Sequence, residues 1–304
     1  DLDLYVMNHA NDRERVNTPV PTANTGERVS NDHLYENTGN GFRDITIAAG
    51  LLTEGYGLGM AIADFNNDLW PDIYVANDFV FSDLLYINNQ DGTFTNQARQ
   101  YIPHQPYNAM GCDLGDINND GKLDLITLDM LPEGNERQKS MIGAMNYYKF
   151  DLIIKGGYDH QYMRNMLYEQ GKSGFEEIGR MVGVHATDWS WTPLFGDFDN
   201  DTYTDLFIAN GYYKDITDKD FIMFSNNMTM FTNREIGDSL IMQELDKLPE
   251  TKMTNYIFQN SGDNRFKDMR AEWIGLEKTL SNGAIYADLD NDGDLDLITN
   301  DMNS

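Results

Sequence analysis

The chain has 304 residues, and 22 basic against 50 acidic side chains leave a formal charge of -28, which excludes a phosphate-backbone partner and hence nucleic acid. Hydrophobic residues at 40% and aromatics at 12% supply too much apolar surface for a disordered acidic chain. No run approaches the roughly eighteen apolar residues of a membrane span, no charged-then-apolar leader opens the sequence, and the single Cys112 excludes an internal disulfide framework without fixing the compartment.

In chain order, "DLDLYVMN" reads as the second half of an acidic loop, Asp1 at its seventh place and Asp3 at its ninth, running into a strand. The sequence is therefore expected to begin inside a repeated motif and to be an excerpt of a longer protein. A hairpin follows at 33–44, "HLYENTGNGFRD". The strand "YGLGMAIADF" then enters the first complete loop, with Asp64, Asn66 and Asp68 at places one, three and five, Trp70 at seven and Asp72 at nine, and "DIYVAN" leaves it as a second strand. After the hairpin at 84–96 comes a second loop with Asp116, Asn118, Asp120, Lys122 and Asp124 in the same places; Cys112, in the strand before it, is expected to be a buried, inert thiol.

Residues 131–165 form an insertion of mixed character, in which Tyr147, Tyr148 and Phe150 are expected to pack on the body. Beyond the hairpin at 166–177, Trp189 and Trp191 of "TDWSWTP" are expected to wedge between repeats rather than meet a ligand. The third loop carries Asp197, Asp199, Asp201, Tyr203 and Asp205. The insertion 211–253 reads as two short helices, the first capped around Thr217 and Asp220, the second by Asn233, with Pro249 past its end. Met223, Phe224, Met228, Met230 and Phe231 crowd the first helix; such a stripe marks an adaptable interface or, more commonly, local core, which is the expectation here. The hairpin at 256–268 precedes the fourth loop, Asp288, Asp290, Asp292, Asp294 and Asp296, which runs into the strand "LDLITN".

Each hairpin is an alternating strand, a turn rich in Gly, Asn and Asp, and a strand opened by Phe. Phe42 to Asp64, Phe94 to Asp116, Phe175 to Asp197 and Phe266 to Asp288 are each 22 residues apart, whereas Asp3 to Leu34, Asp72 to Leu85, Asp124 to Leu167 and Asp205 to Ile257 span 31, 13, 43 and 52. All the length variation thus falls between the loop and the next hairpin. Solvated acidic turns would explain one such loop; repetition at fixed spacing favours calcium, with alternate residues turning oxygen inward as in an EF-hand loop. The match is partial, because the twelfth place of the last loop is Thr299 rather than a bidentate Glu. A loop saturated by protein oxygens leaves no open position for substrate, so the metal is structural rather than catalytic. Gly121 and Gly293 supply the sharp sixth-place turn; Leu69 and Thr202 replace it, so those loops are expected to be strained or weaker.

The units read as four-stranded antiparallel blades: strand A before the loop, B after it, and the hairpin as C and D. The A-to-B and C-to-D turns then share one face, and the insertions share the other with the D-to-A links. Radial repetition of such sheets is an all-β propeller fold with partly helical insertions, of which about four blades are visible, truncated at both ends. His9, His33, His104, His160 and His185, with Tyr56, Tyr101, Tyr107, Trp189 and Trp273, fall on the insertion face, which suits a glycan or a protein partner.

The four D-x-[DN]-x-D-x-x-x-D loops, placed between two strands, resemble those of the FG-GAP/VCBS-repeat family, whose seven-bladed propellers include the integrin α-subunit head and the cartilage acidic protein family. Residues 131–168 and 185–221 are similar to large VCBS-repeat proteins of Bacteroidota, often with an ASPIC/UnbV module. What the resemblance implies is a calcium-binding, non-enzymatic propeller on the extracellular or outer-membrane surface, held there by a lipid anchor outside this segment, with a protein or glycan partner such as a SusC/SusD-type importer. The competing readings are a polysaccharide lyase or hydrolase, for which His160, Arg164, His185 and Asp188 are the named group, and an architectural subunit of an outer-membrane assembly.

Overall fold

The strands of the loops and hairpins assemble, in a computed structural model describing residues 1–9, 21–141, 147–172, 174–262 and 265–302, into five successive antiparallel sheets. The first has three strands, β1 (Leu4–Val6), β2 (His33–Asn37) and β3 (Phe42–Asp44). Three four-stranded sheets follow, each in A-B-C-D order. They are β4 (Gly57–Ala63), β5 (Asp72–Asn77), β6 (Leu84–Asn88) and β7 (Phe94–Asn96); then β8 (Cys112–Gly115), β9 (Asp124–Thr127), β10 (Met166–Gln170) and β11 (Phe175–Glu177); then β12 (Ser190–Gly196), β13 (Asp205–Asn210), β14 (Tyr256–Asn260) and β15 (Phe266–Asp268). β16 (Ser281–Ala287) and β17 (Asp296–Asp301) pair as the last sheet.

The alternation of strand side chains divides each B strand between two cores. Ile73 and Val75 of β5 pack against the first sheet with Leu34, while Tyr74 and Ala76 face Leu125 and Tyr168 of the third. Ile126 of β9 meets Leu206 and Ile208 of β13, whose Phe207 and Ala209 turn to Ala284 and Leu297 of the last sheet. The core is therefore a series of apolar layers between stacked sheets, and each inner B strand is buried throughout. Where a sheet has no neighbour the outer face is bare: Leu4 and Val6 at one end, and the cross-strand pair Ile285 and Ile298 at the other, are exposed.

The A strands stand shoulder to shoulder in chain order. Phe195 donates its backbone N–H to Asp113 Oδ2 at 2.7 Å, and Thr192 Oγ1 donates to the Asn282 carbonyl at 3.0 Å. Glycine makes the approach possible: a Cβ on Gly59 would lie 2.8 Å from the Met110 carbonyl oxygen, and one on Gly111 would overlap the Trp191 carbonyl. Gly111→Ala is expected to cost about 1–3 kcal/mol, the usual penalty of over-packing, measured by urea denaturation. Gly283→Ala, whose added methyl meets only Asn300 Cβ at 3.9 Å, should change stability by less than about 0.5 kcal/mol.

Three of the four D-to-A links open with a helical turn that the sequence pattern does not announce: Ala98–Tyr101, Gly179–Val182 and Arg270–Ile274. The insertions carry longer helices, α1 (Tyr147–Lys155), α2 (Lys219–Phe231) and α3 (Arg234–Lys247); residues 142–146 of the 131–165 insertion lie outside the described residues. Two expectations are corrected here. Tyr147 and Tyr148 are exposed, at 75% and 83%, because the residue α1 buries is Ile153, among Tyr56, Phe81, Tyr107 and Tyr158. The methionine-rich stripe of α2 is not core either: α2 buries none of its residues, and the element it packs on most closely is α3. Met223, Met230 and Phe231 face solvent. The α2 N-cap is Asp218, which accepts from Asp220 N and Phe221 N, because the Thr217 hydroxyl turns back to Asp215 Oδ1 at 2.7 Å. Asn233 caps α3 as expected.

Candidate metal centre

All four complete loops adopt one backbone path, and their side chains build it. The first-place aspartate accepts two backbone N–H groups, those of places five and six: Asp68 and Leu69 on Asp64, Asp120 and Gly121 on Asp116, Asp201 and Thr202 on Asp197, Asp292 and Gly293 on Asp288, at 2.8–3.2 Å. The third-place residues Asn66, Asn118, Asp199 and Asp290 also accept from place five. Asp68, Asp120, Asp201 and Asp292 each accept from place seven, Trp70, Lys122, Tyr203 and Asp294. Places four and six are left-handed in every loop, with φ from 57° to 95°. Asn67, Asn119, Asn200 and Asn291 suit place four, whereas Leu69 at 71° and Thr202 at 77° hold a conformation that side chains disfavour.

The ninth-place aspartate does more than close the loop. Asp72, Asp124 and Asp205 are buried, and each takes two backbone donors: the second-place N–H on one oxygen, at 2.9–3.0 Å, and the last N–H of strand C, from Asn88, Gln170 or Asn260, on the other at 2.8 Å. Asp3 receives Asn37 N at 2.9 Å, as the ninth-place aspartates receive the last N–H of strand C, and Asp1 and Asp3 are both exposed. Asp296, with no C strand beside it among the described residues, is exposed and accepts Leu289 N.

Three carboxylates converge in two of the loops. In Asp197, Asp199 and Asp205, and again in Asp288, Asp290 and Asp296, one oxygen from each lies within 4.8 Å of the others. The loops at Asp64 and Asp116 have an amide at place three. There the fifth-place carboxylate also takes side-chain donors: Gln90 and Asn66 on Asp68, Lys122 on Asp120. Neighbouring loops touch: Asn119 Nδ2 donates to the Thr202 carbonyl at 3.2 Å and Asn200 Nδ2 to Asp294 Oδ1 at 2.5 Å, so they form a row on one face. Like charges gathered at this spacing repel, and the acceptor-only, oxygen-rich donor set fits a hard divalent cation.

Burial pushes Asp124 and Asp205 up to about 6 and raises Asp72, with the neighbouring loop carboxylates adding to the effect. In the metal-free chain the fold therefore binds protons up to about pH 6 that the unfolded chain releases near 3.8. Stability from these groups is present below that window and falls as pH rises through it. With a chelator present, melting is expected to be higher at pH 5 than at pH 7.5 by scanning calorimetry; an equal or lower value at pH 5 contradicts it.

The structure also shows a second repeated polar pair that the sequence reading missed. Asp32, Asp83, Asn165 and Asn255, each just before strand C, accept the backbone N–H of Asn8, Asn77, Asp129 and Asn210 at the end of strand B, at 2.7–2.8 Å. Strand C is thus clamped at both ends, and the signal was a [DN]-x-[LI]-[YF] pattern visible in "DHLY", "DLLY", "NMLY" and "NYIF". On the insertion face, Trp189 is buried and stacks on Tyr212 at 4.0 Å, and Tyr56 and Tyr107 are buried as well, so these aromatics serve packing. Of the four residues named for an enzyme, Arg164 pairs with Glu177 at 2.6 Å, Asp188 pairs with Arg137 at 2.6 Å, His160 lies against Phe150, and the His185 pKa is held below its ordinary value by burial and by the nearby Arg180 and Arg164 charges. No hydrogen bond or ion pair joins them to one another among the described residues.

Four-stranded antiparallel sheets, stacked in chain order and joined by acidic turns, define a β-repeat protein. The FG-GAP-like repeat family matches residues 1–75, 76–127 and 248–299, more than half of the chain, and the chain belongs to that family. The unmatched middle holds the helical insertions and the loop at Asp197. Human integrin alpha-7 is similar, 27% identical over 92 residues that cover 27% of this chain and 8% of the integrin. No helix among the described residues is long and apolar enough to cross a membrane.

Proposed function

We propose that this chain is part of a non-enzymatic, calcium-stiffened β-propeller, seven-bladed when complete, that sits on the cell surface and presents its insertion face to a protein partner or glycan. The observation that carries the reading is the division of the two faces: one holds a row of near-identical acidic loops, the other all the variable length. Calcium at Asp64, Asp116, Asp197 and Asp288 and their companions would fix each A-to-B turn, leaving the opposite loops free to diversify, as binding loops on rigid scaffolds do. The bare apolar faces of the first and last sheets support further blades on either side. A SusC/SusD-type importer is the partner class proposed on resemblance, and the same resemblance is the ground for proposing an outer-membrane location with a lipid anchor outside this segment. A lyase or hydrolase has less support, because no hydrogen bond or ion pair joins its named residues among the described residues.

The test is to replace residues 217–248 with a short Gly-Ser link and to substitute the exposed Tyr147 and Tyr148. Binding to surface-protein and glycan panels should be lost while calcium-dependent melting is kept. Unchanged binding contradicts the assignment of the face.

A further inference from the structure

Four basic side chains, Arg137, Lys252, Arg270 and Lys278, line one open cleft of about 240 Å³ on the insertion side, together with a single carboxylate, Asp188. In a chain of charge -28 such a gathering of cations is unusual, and part of it is not used internally. Arg137 holds Asp188 through Nε at 2.6 Å and Asp215 through Nη1, but its Nη2 is buried with no acceptor, a costly state for a charged donor. Arg270 is fully engaged, over the Tyr256 ring at 3.7 Å and on Asp268 and Glu133. Lys252 has only a half-exposed pair with Glu250 at 3.4 Å. Lys278, whose backbone pairs with Thr254, makes no side-chain ion pair among the described residues.

We propose that the cleft binds one uronate unit of an acidic polysaccharide, its carboxylate taken by Lys252 and Lys278 over Arg137, its hydroxyls by Thr251, Thr254 and Asp188. The proposal rests on the insertion face being the binding face and names the ligand class. The lining favours a sugar acid over an acidic peptide. Hydroxyls and a carboxylate alternate with the cations, the one aromatic face is covered by Arg270, and the volume, below the roughly 300–1,000 Å³ of larger ligand pockets, holds one sugar ring.

The experiment is calorimetric titration of the calcium-loaded full chain with a glucuronic-acid trisaccharide, maltotriose and a glutamate hexapeptide, at low and high salt. The uronate should bind, weaken with salt, and weaken roughly tenfold or more in the Lys252→Ala/Lys278→Ala variant, as expected when charge pairs at a binding site are removed. The melting temperature of that variant should be unchanged, since neither lysine is buried; Arg137→Met serves as a second variant only if it passes the same melting test. Equal binding of maltotriose, preference for the peptide, full binding by the double variant, or no binding of the uronate each overturns the proposal. A retained calcium-dependent melting shift, or partner binding that still depends on residues 217–248, would show that the wider reading of the protein survives that failure.

Discussion

Adding a chelator to the calcium-loaded chain is expected to lower its melting temperature by roughly 10–20 °C. Each site held at tenfold over its Kd contributes about 1.4 kcal/mol, so four complete loops give roughly 5–6 kcal/mol, comparable to the whole stability of many domains. At about 2–4 °C per kcal/mol for a chain of this size class, that is the shift to be seen. The loss should be cooperative, because Asn119 and Asn200 tie the second loop to the third and the third to the fourth, and the core layers run between adjacent sheets. Scanning calorimetry with calcium, with chelator, and with chelator followed by excess calcium measures it. A shift below about 2 °C would leave the acidic loops as self-sufficient turns.

Two aspartates of one loop should behave differently. Asp205→Ala removes a buried carboxylate that accepts from Phe198 N at 3.0 Å and Asn260 N at 2.8 Å. Two buried donors lose their partner at about 1–3 kcal/mol each, so a destabilisation of about 4 kcal/mol is expected with chelator present, growing by about 1.4 kcal/mol or more in calcium because Asp205 is also one of the three converging carboxylates. Asp199→Ala sits at an exposed third place and gives up Asp201 N and Gln259. Its cost should be under about 1 kcal/mol with chelator, as for most surface changes, and should grow by about 1.4 kcal/mol or more in calcium as that site empties. Urea denaturation of both variants in the two conditions separates scaffold from ligand. Identical calcium dependence of Asp199→Ala and the parent would remove the third place from the coordination set.

The loops and hairpins were legible because their chemistry is local. An Asx side chain caps backbone N–H groups two to five residues on, so the spacing of Asp64, Asn66 and Asp68 encodes the turn directly, and Phe94 after "NQDG" encodes the hairpin. What depends on a distant neighbour was not legible. Asp83 and Asn165 look like ordinary strand-edge residues until strand B is seen to end on them. Tyr147, Tyr148, Met223, Met230 and Phe231 have the composition of core, and only the placement of Ile153 and of α3 shows that they face solvent. The single-position error at the α2 cap has a similar origin: Thr217, Asp218 and Asp220 are all competent caps, and the competing bond from Thr217 to Asp215 decides among them.

Equilibrium dialysis of the chelator-stripped chain against calcium, with bound metal counted by atomic absorption, addresses the central claim most directly. Four ions per chain are predicted, one for each complete loop, falling to two in the Asp197→Ala/Asp288→Ala variant. Less than one ion per chain, or a count that those substitutions leave unchanged, would contradict it.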